Sequence, residues 1–337
     1  MKQPIFFERN RVGRVYTGGK LFSGFFGDEP IDNFLPEEWI ASAVKAVNRV
    51  MITEKDGVSK LEGTDIYFDD VLAKNPKEML GSSEKMRILV KVLDSAVRLP
   101  AQAHPDKAYS RKHFHSDYGK TESWIMLDKR PDAKLFFGFQ DGVDREVFAK
   151  AIDESKTDKD AMERLMRYRV PEKKDVFLVP AKTVHAIGAG CLILEIQEPT
   201  DFTFQPEHWC GDYELNDMEM YQGVSKEDAI DCFDFTPAPD TKMIPELIFE
   251  KEGARYERLI GEKHTDCFII NRICLDGGEH LMNIDDSYGV YIVTEGSGRV
   301  VGEGYERKIK KGDYFFLPCC AMGAFKLTGN LECVECY

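Results

Sequence analysis

Long apolar runs are missing from this sequence: no stretch approaches the roughly 20 uninterrupted apolar residues that a bilayer-spanning helix needs. The first residues, MKQPIFFERNRVGRVY, place charges where a secretory signal would carry its apolar centre. The C-terminal Cys-Tyr lacks the Cys four from the end that prenylation requires. Cytoplasm is therefore the expected location, with no membrane partner. A basic excess is missing too, since 45 Lys and Arg face 59 Asp and Glu, for a net charge of −14. Such a surface repels phosphate backbones, and no local basic patch overrides it, so nucleic acid is not an expected partner. The nine cysteines lack framework spacing and read as reduced thiols, many of them small core residues.

What is present is a soluble globular composition, 43% hydrophobic and 31% charged, over 337 residues. That length suggests about two domains. Short runs rich in β-branched and aromatic residues dominate: Arg87–Leu93, Lys134–Phe139, Val176–Val179, Leu192–Ile196, Cys267–Ile273, Gly289–Thr294 and Tyr314–Leu317. Gly, Pro, Asp or Asn punctuates most of them, which predicts a sandwich or barrel of short strands. Asp144–Tyr168 differs. Its apolar residues fall at helical spacing (Val147, Phe148, Ile152, then Met162, Leu165, Met166), which predicts an inserted helical pair at about 141–170, with Asp158 and Asp160 capping the second helix. Asp65–Leu80 reads as another short helical region. Three prolines in the eleven residues Phe235–Pro245 mark a linker. A pattern "Asp-x-apolar-apolar-apolar-Pro" or its near variant occurs at Asp175–Pro180 and Asp313–Pro318, one on each side of that linker, suggesting two related β-sandwiches.

Three stretches carry chemistry. In Gln102-Ala103-His104-Pro105 the Gln and His are two apart and share a face of an extended chain. In Gly119-Lys120-Thr121-Glu122 the Lys and Glu do the same. The third, Pro180–Gly188, places His185 in a turn-rich segment directly after a strand. Two imidazoles and a carboxylate suit a borderline divalent ion, zinc first, with Fe, Mn, Co or Ni open. Spacing alone favours the bland alternative: unrelated polar residues and ordinary buried or surface histidines.

LVKVLDSAVRLPAQAHPDKAYSRKHF, YGKTESWIMLD and VPAKTVHAIGAGCLILEIQEPTDFTF resemble, in order and spacing, the type I mannose-6-phosphate isomerases, metal-dependent enzymes of the cupin superfamily. The resemblance is dense from Arg87 to Phe204 and thinner in the N-terminal EEWIASAV and beyond the linker. It implies a mainly β fold of two cupin-type (jelly-roll) sandwiches with a small helical insertion. Residues 1–240 would form the metal-binding catalytic domain and 245–337 a metal-free cupin-like one. It implies one Zn²⁺ per chain, or another divalent metal, on Gln102, His104, Glu122 and His185. Lys120 and Asp201 match catalytic positions.

Departures from the family shape the functional expectation. An arginine normally lies four residues beyond the matched aspartate, where this chain has Gln205; Pro100 replaces a serine, and Thr17-Gly18-Gly19 lacks the family's Trp. Gln205 cannot supply a guanidinium's charge or fork to a phosphate, and the acidic segment Glu207–Glu219 holds no Lys or Arg. Lys91 and Lys120 remain the nearby cations, with Lys91 and Gln205 assigned to substrate. The expected activity is a metal-dependent aldose–ketose isomerase with an altered or non-phosphorylated sugar substrate, working as a monomer or homodimer. A catalytically impaired zinc-cupin sugar-binding protein and a different metal-cupin enzyme are the rivals. Cys319, Cys320, Cys333 and Cys336 are not expected to bind zinc, and RKHFHSDYG reads as a solvated loop carrying His113 and His115.

Overall fold

In the computed structural model, which describes residues 2–47, 53–237 and 240–337, two β-layers share one apolar seam. A seven-stranded sheet runs in the order Lys242–Met243, Val176–Val179, Glu122–Lys129, Cys191–Gln197, Leu89–Asp94, Glu37–Ile40, Arg11–Val12. All its strand pairs are antiparallel. An eight-stranded antiparallel sheet takes its long strands Ile270–Leu281, Gly289–Gly302 and Phe325–Cys336 from the C-terminal part, and its edge strand Ile5–Phe6 from the N-terminus.

The central strands of the first sheet are apolar on both faces, the pattern of a strand covered from two sides. On one face Val90, Val92, Ile125, Leu192, Leu194 and Ile196 join Ile270, Val290, Ile292, Phe316 and Val334 of the second sheet in one buried cluster. On the other face Leu93, Trp124, Met126, Phe177, Val179 and Ile193 pack against Leu135, Phe137 and Ile187. Those last three belong to a small sheet of Met166–Arg169, Leu135–Phe139 and His185–Ile187. The polar site lies within this second layer.

The sequence pattern after each linker side proves to be one turn built twice. Asp175 Oδ2 accepts the Glu172 N–H at 3.1 Å, and Asp313 Oδ2 accepts the Lys310 N–H at 2.9 Å. The residues just before, Lys174 and Gly312, are both left-handed, with φ of 73° and 86°. Each aspartate's carbonyl then accepts from the neighbouring strand, from Met126 and Val293. The strands that follow pair in matching register, Val179 with Glu122 and Leu317 with Gly289.

Several expectations hold and some do not. Asp65–Leu80 is helical, as Phe68–Lys74 and Pro76–Leu80 with a break at Asn75. Arg145–Glu154 is the first inserted helix, its N-cap Asp144 accepting from Glu146 and Val147. The second is not formed: Glu163–Leu165 is a single 3₁₀ turn and Met166–Arg169 is a strand paired with Leu135–Phe139. The open backbone edge of that strand outweighs a weak helical period that Pro171 would have stopped within a turn. His113 is not in a loop but in the helix Lys107–Phe114, stacked 4.3 Å from Tyr109, and His115 is its left-handed C-cap. Of the proline-rich linker, Ala238 and Pro239 lie outside the described residues, while Lys242–Met243 pairs with Val176–Phe177. No helix of the described residues is long and apolar enough to cross a membrane.

Candidate metal centre

Each donor is delivered by a short, separately fixed segment. Gln102 and His185 form an antiparallel bridge, exchanging N–H···O bonds of 2.9 Å in both directions, and Ala103 bridges Phe204. This extended piece ends at Pro105, and the Asp106 carboxylate caps the next helix by accepting the Tyr109 N–H at 2.7 Å. Glu122 opens the strand Glu122–Lys129, and His185 opens His185–Ile187.

His104, Glu122 and His185 converge, all 1% exposed or less. His104 Nε2 lies 3.1 Å from Glu122 Oε2, His185 Nε2 lies 3.3 Å from Glu122 Oε1, and the two Nε2 atoms are 3.2 Å apart. These spacings approximate the edge of a tetrahedron with metal–ligand bonds of about 2.0–2.2 Å. The second imidazole nitrogens fix the tautomers. His104 Nδ1–H donates to the Phe202 carbonyl at 2.9 Å and His185 Nδ1–H to the Thr183 carbonyl at 2.8 Å, so both Nε2 lone pairs face inward. Burial, with the Lys120 ammonium, lowers the His104 pKa to about 3, keeping that ring neutral. Burial alone would raise Glu122, but the Lys120 ammonium beside it holds it well below the usual carboxylate range. Two neutral imidazoles and an ionised carboxylate aimed at one point are the donor set of a divalent metal. Gln102 is placed opposite His185 by the bridge and is a candidate fourth donor. Among the described residues no other His/Cys/Asp/Glu group converges this way, and the late cysteines form none.

Lys120 Nζ lies 2.8 Å from His104 Nε2 and 3.0 Å from Glu122 Oε2, so lysine and donors share one pocket. Lys91 is buried 3.4 Å from Glu195 and 3.9 Å from Asp201, over the Trp39 ring. Asp201 is also paired with Arg14 at 3.3 Å, and Arg14 with Glu37 at 2.9 Å. Burial would raise Asp201, but Arg14 and then Lys91 bring it below its ordinary value. Arg14, Glu37 and Glu195 escaped the sequence reading. Glu37 and Glu195 lay inside the quoted motifs EEWIASAV and LILEIQ, whereas Arg14 carried no signal.

Gln205 points elsewhere: its amide donates to the Glu219 carbonyl at 3.2 Å. The acidic segment beyond it is occupied structurally rather than facing substrate as a block. Glu207 is buried against Arg98 and the Ala101 N–H, Asp212 pairs with Lys159, and Glu219 completes the capping box of the helix Asp217–Tyr221. The eight-stranded sheet repeats part of this register with other residues. Gly289 stands at the Glu122 place, where an added Cβ would come within 2.6 Å of the Tyr291 ring. Met282, which accepts from Gly323, stands at that of Gln102.

No family model matches the chain. Mannose-6-phosphate isomerase ManA of Bacillus subtilis is 30% identical over 254 residues, 74% of this chain and 75% of that protein. A second Bacillus subtilis protein, named "Probable mannose-6-phosphate isomerase GmuF", is 30% identical over 98% of each chain. A zinc-bound mannose 6-phosphate isomerase structure superposes over 99% of each chain with a TM-score of 0.77 at 14% identity, a likeness of fold. Similarity at this level along nearly the whole sequence, joined to a mainly β fold shared end to end, means that the chain belongs to the mannose-6-phosphate isomerase family.

Proposed function

We propose that this isomerase interconverts an aldose and a ketose of the mannose–fructose type, with Zn²⁺ held by His104, Glu122 and His185 and completed by Gln102. The convergence of two tautomer-fixed imidazoles on one buried carboxylate carries the reading. A bound zinc ion would act as a Lewis acid toward the sugar's carbonyl and hydroxyl oxygens. The reaction is internally balanced. The carbinol carbon loses hydrogen and becomes a carbonyl, the neighbouring aldehyde carbon gains it, and no external oxidant is needed. Lys120 and Asp201 are the proposed proton-handling groups and Lys91 the proposed substrate-side residue, whereas the Gln205 amide is turned to the Glu219 carbonyl. On the same reading, residues 1–240 do the chemistry and residues 245–337 support it without a metal, in keeping with Gly289 and Met282 at the donor places.

For the substrate we favour a sugar without a phosphate. Arg14, Lys91 and Lys120 are each matched to a carboxylate, Gln205 is neutral, and no unmatched guanidinium among these residues waits for a dianion. The test is an isomerase assay on mannose 6-phosphate, mannose, fructose and other aldoses, with metal analysis of the same preparation. Faster turnover of a free sugar supports the substrate assignment. Turnover of mannose 6-phosphate at ordinary enzyme rates overturns it and leaves the isomerase reading standing. No turnover of any sugar by zinc-loaded protein overturns both.

A further inference from the structure

We infer that Arg14 is the positioning residue for Asp201, supplying from the N-terminal segment the guanidinium that Gln205 cannot. The inference rests on the isomerase reading and deepens it.

Arg14 follows the strand Arg11–Val12, and its backbone N–H is anchored to the Phe34 carbonyl at 3.1 Å. Its guanidinium is forked. Nε and one Nη meet the two oxygens of Glu37 at 2.9 and 3.2 Å, while both Nη atoms meet Asp201 at 3.3–3.4 Å. Glu37 is in turn held by Tyr16 Oη and Trp39 Nε1, each at 2.7 Å. The guanidinium is therefore oriented by a rigid carboxylate behind it and meets Asp201 with both of its terminal nitrogens. The Val47 N–H completes the grip on Asp201 at 3.2 Å. A planar five-donor fork suits this double bridging, and a lysine ammonium would serve one carboxylate well and the other poorly.

The hold matters because of where Asp201 sits. The next residue's carbonyl is the acceptor that fixes the His104 tautomer, so one short segment sets both the aspartate and a metal donor. Among the described residues, Arg14 and Lys91 contact Asp201, with Glu37 and Lys120 farther off. Of these, Arg14 is the largest influence favouring the ionised form. A carboxylate that exchanges a proton with a sugar must be both ionised and fixed in direction, and Arg14 provides the two together.

The experiment compares unmodified protein, Arg14→Ala, Arg14→Lys and Gln205→Arg on whichever sugar the unmodified protein turns over. Metal content and the thermal midpoint are recorded for each. Arg14→Ala is expected to lose about 100-fold in kcat with metal retained, the cost of misplacing a reacting group by about 1 Å. Its acid limb of kcat/KM should move to higher pH, a change that a merely structural role would not produce. Added guanidinium ion should restore part of the rate, Arg14→Lys should return the limb without the full rate, and Gln205→Arg should gain nothing. Folded, metal-loaded Arg14→Ala with kcat within about twofold and an unmoved acid limb overturns the inference alone. Failure of the unmodified protein on every sugar overturns the isomerase reading and takes the inference with it.

Discussion

His104 and His185 face each other through unprotonated nitrogens 3.2 Å apart, each having committed its only ring hydrogen to a backbone carbonyl. Neither ring can hydrogen-bond the other in that state, and a shared cation resolves the conflict. His104→Ala or His185→Ala should therefore remove stoichiometric zinc and lower turnover by more than about 100-fold, exceeding the 10- to 100-fold seen for outer-shell changes. Elemental analysis of the purified variants checks this, and retention of zinc by either variant would count against the centre.

The proton-handling role proposed for Lys120 predicts that metal binding and chemistry can be separated. Its ammonium contacts two donors but is not itself expected to bind the ion. Lys120→Ala should keep its zinc while kcat falls by about 10²–10⁴-fold, the usual range for a lost acid–base group. Loss of metal and activity in parallel would instead make Lys120 part of the metal-binding framework.

Glu198 braces the same lysine from behind. Its two buried oxygens accept the N–H groups of Gly119 and Thr121, at 3.1 and 2.9 Å, one on each side of Lys120. In Glu198→Gln one of those N–H groups must face an amide NH₂. The variant should lose about 1–3 kcal/mol of stability, measured by denaturant unfolding, and Glu198→Asp should not restore it because the shorter arm cannot span both.

Much of this site was readable because its donors sit in local motifs. Two-residue spacing put Gln102 with His104, and Lys120 with Glu122, on common faces. The strands Val176–Val179 and Tyr314–Leu317 match their expected bounds because β-branched or aromatic runs end at prolines. Arg14 was unreadable for the opposite reason: it meets Asp201 across 187 positions, through a loop with no periodicity. The acidic run beyond Gln205 misled because composition counts charges without showing that Arg98 and a helix cap already use them.

Glu37 gives the protein a signature at low pH. Burial opposes its charge, but Arg14 and Lys91 prevail and bring its pKa from the ordinary 4.5 to about 2. A carboxylate depressed in the folded state contributes stability above its unfolded pKa, and that contribution fades as pH falls through the folded value. Stability should therefore decline between about pH 4.5 and pH 2. Glu37→Gln should be less stable at neutral pH and show a shallower decline across that window in unfolding midpoints.

The apolar seam between the two sheets makes the metal sheet dependent on its neighbour. Ile292→Ala, made in the second sheet but in the shared cluster, should cost about 2–5 kcal/mol. Calorimetry should still show a single transition, and two separated transitions would indicate that the seam does not couple the layers.

The turn that Asp175 and Asp313 each build gives this chain a ruler laid along itself. Positions along Val176–Val179 and the start of Glu122–Lys129 have counterparts in register in Tyr314–Leu317 and the start of Gly289–Gly302, shaped by the same backbone demands. Where the counterparts agree, as at these aspartates, the residue answers to folding. Where they diverge, as Glu122 does from Gly289, the difference measures what chemistry asks of that place. The molecule thus carries its own control, in which the cost of function can be separated from the cost of architecture within a single polypeptide.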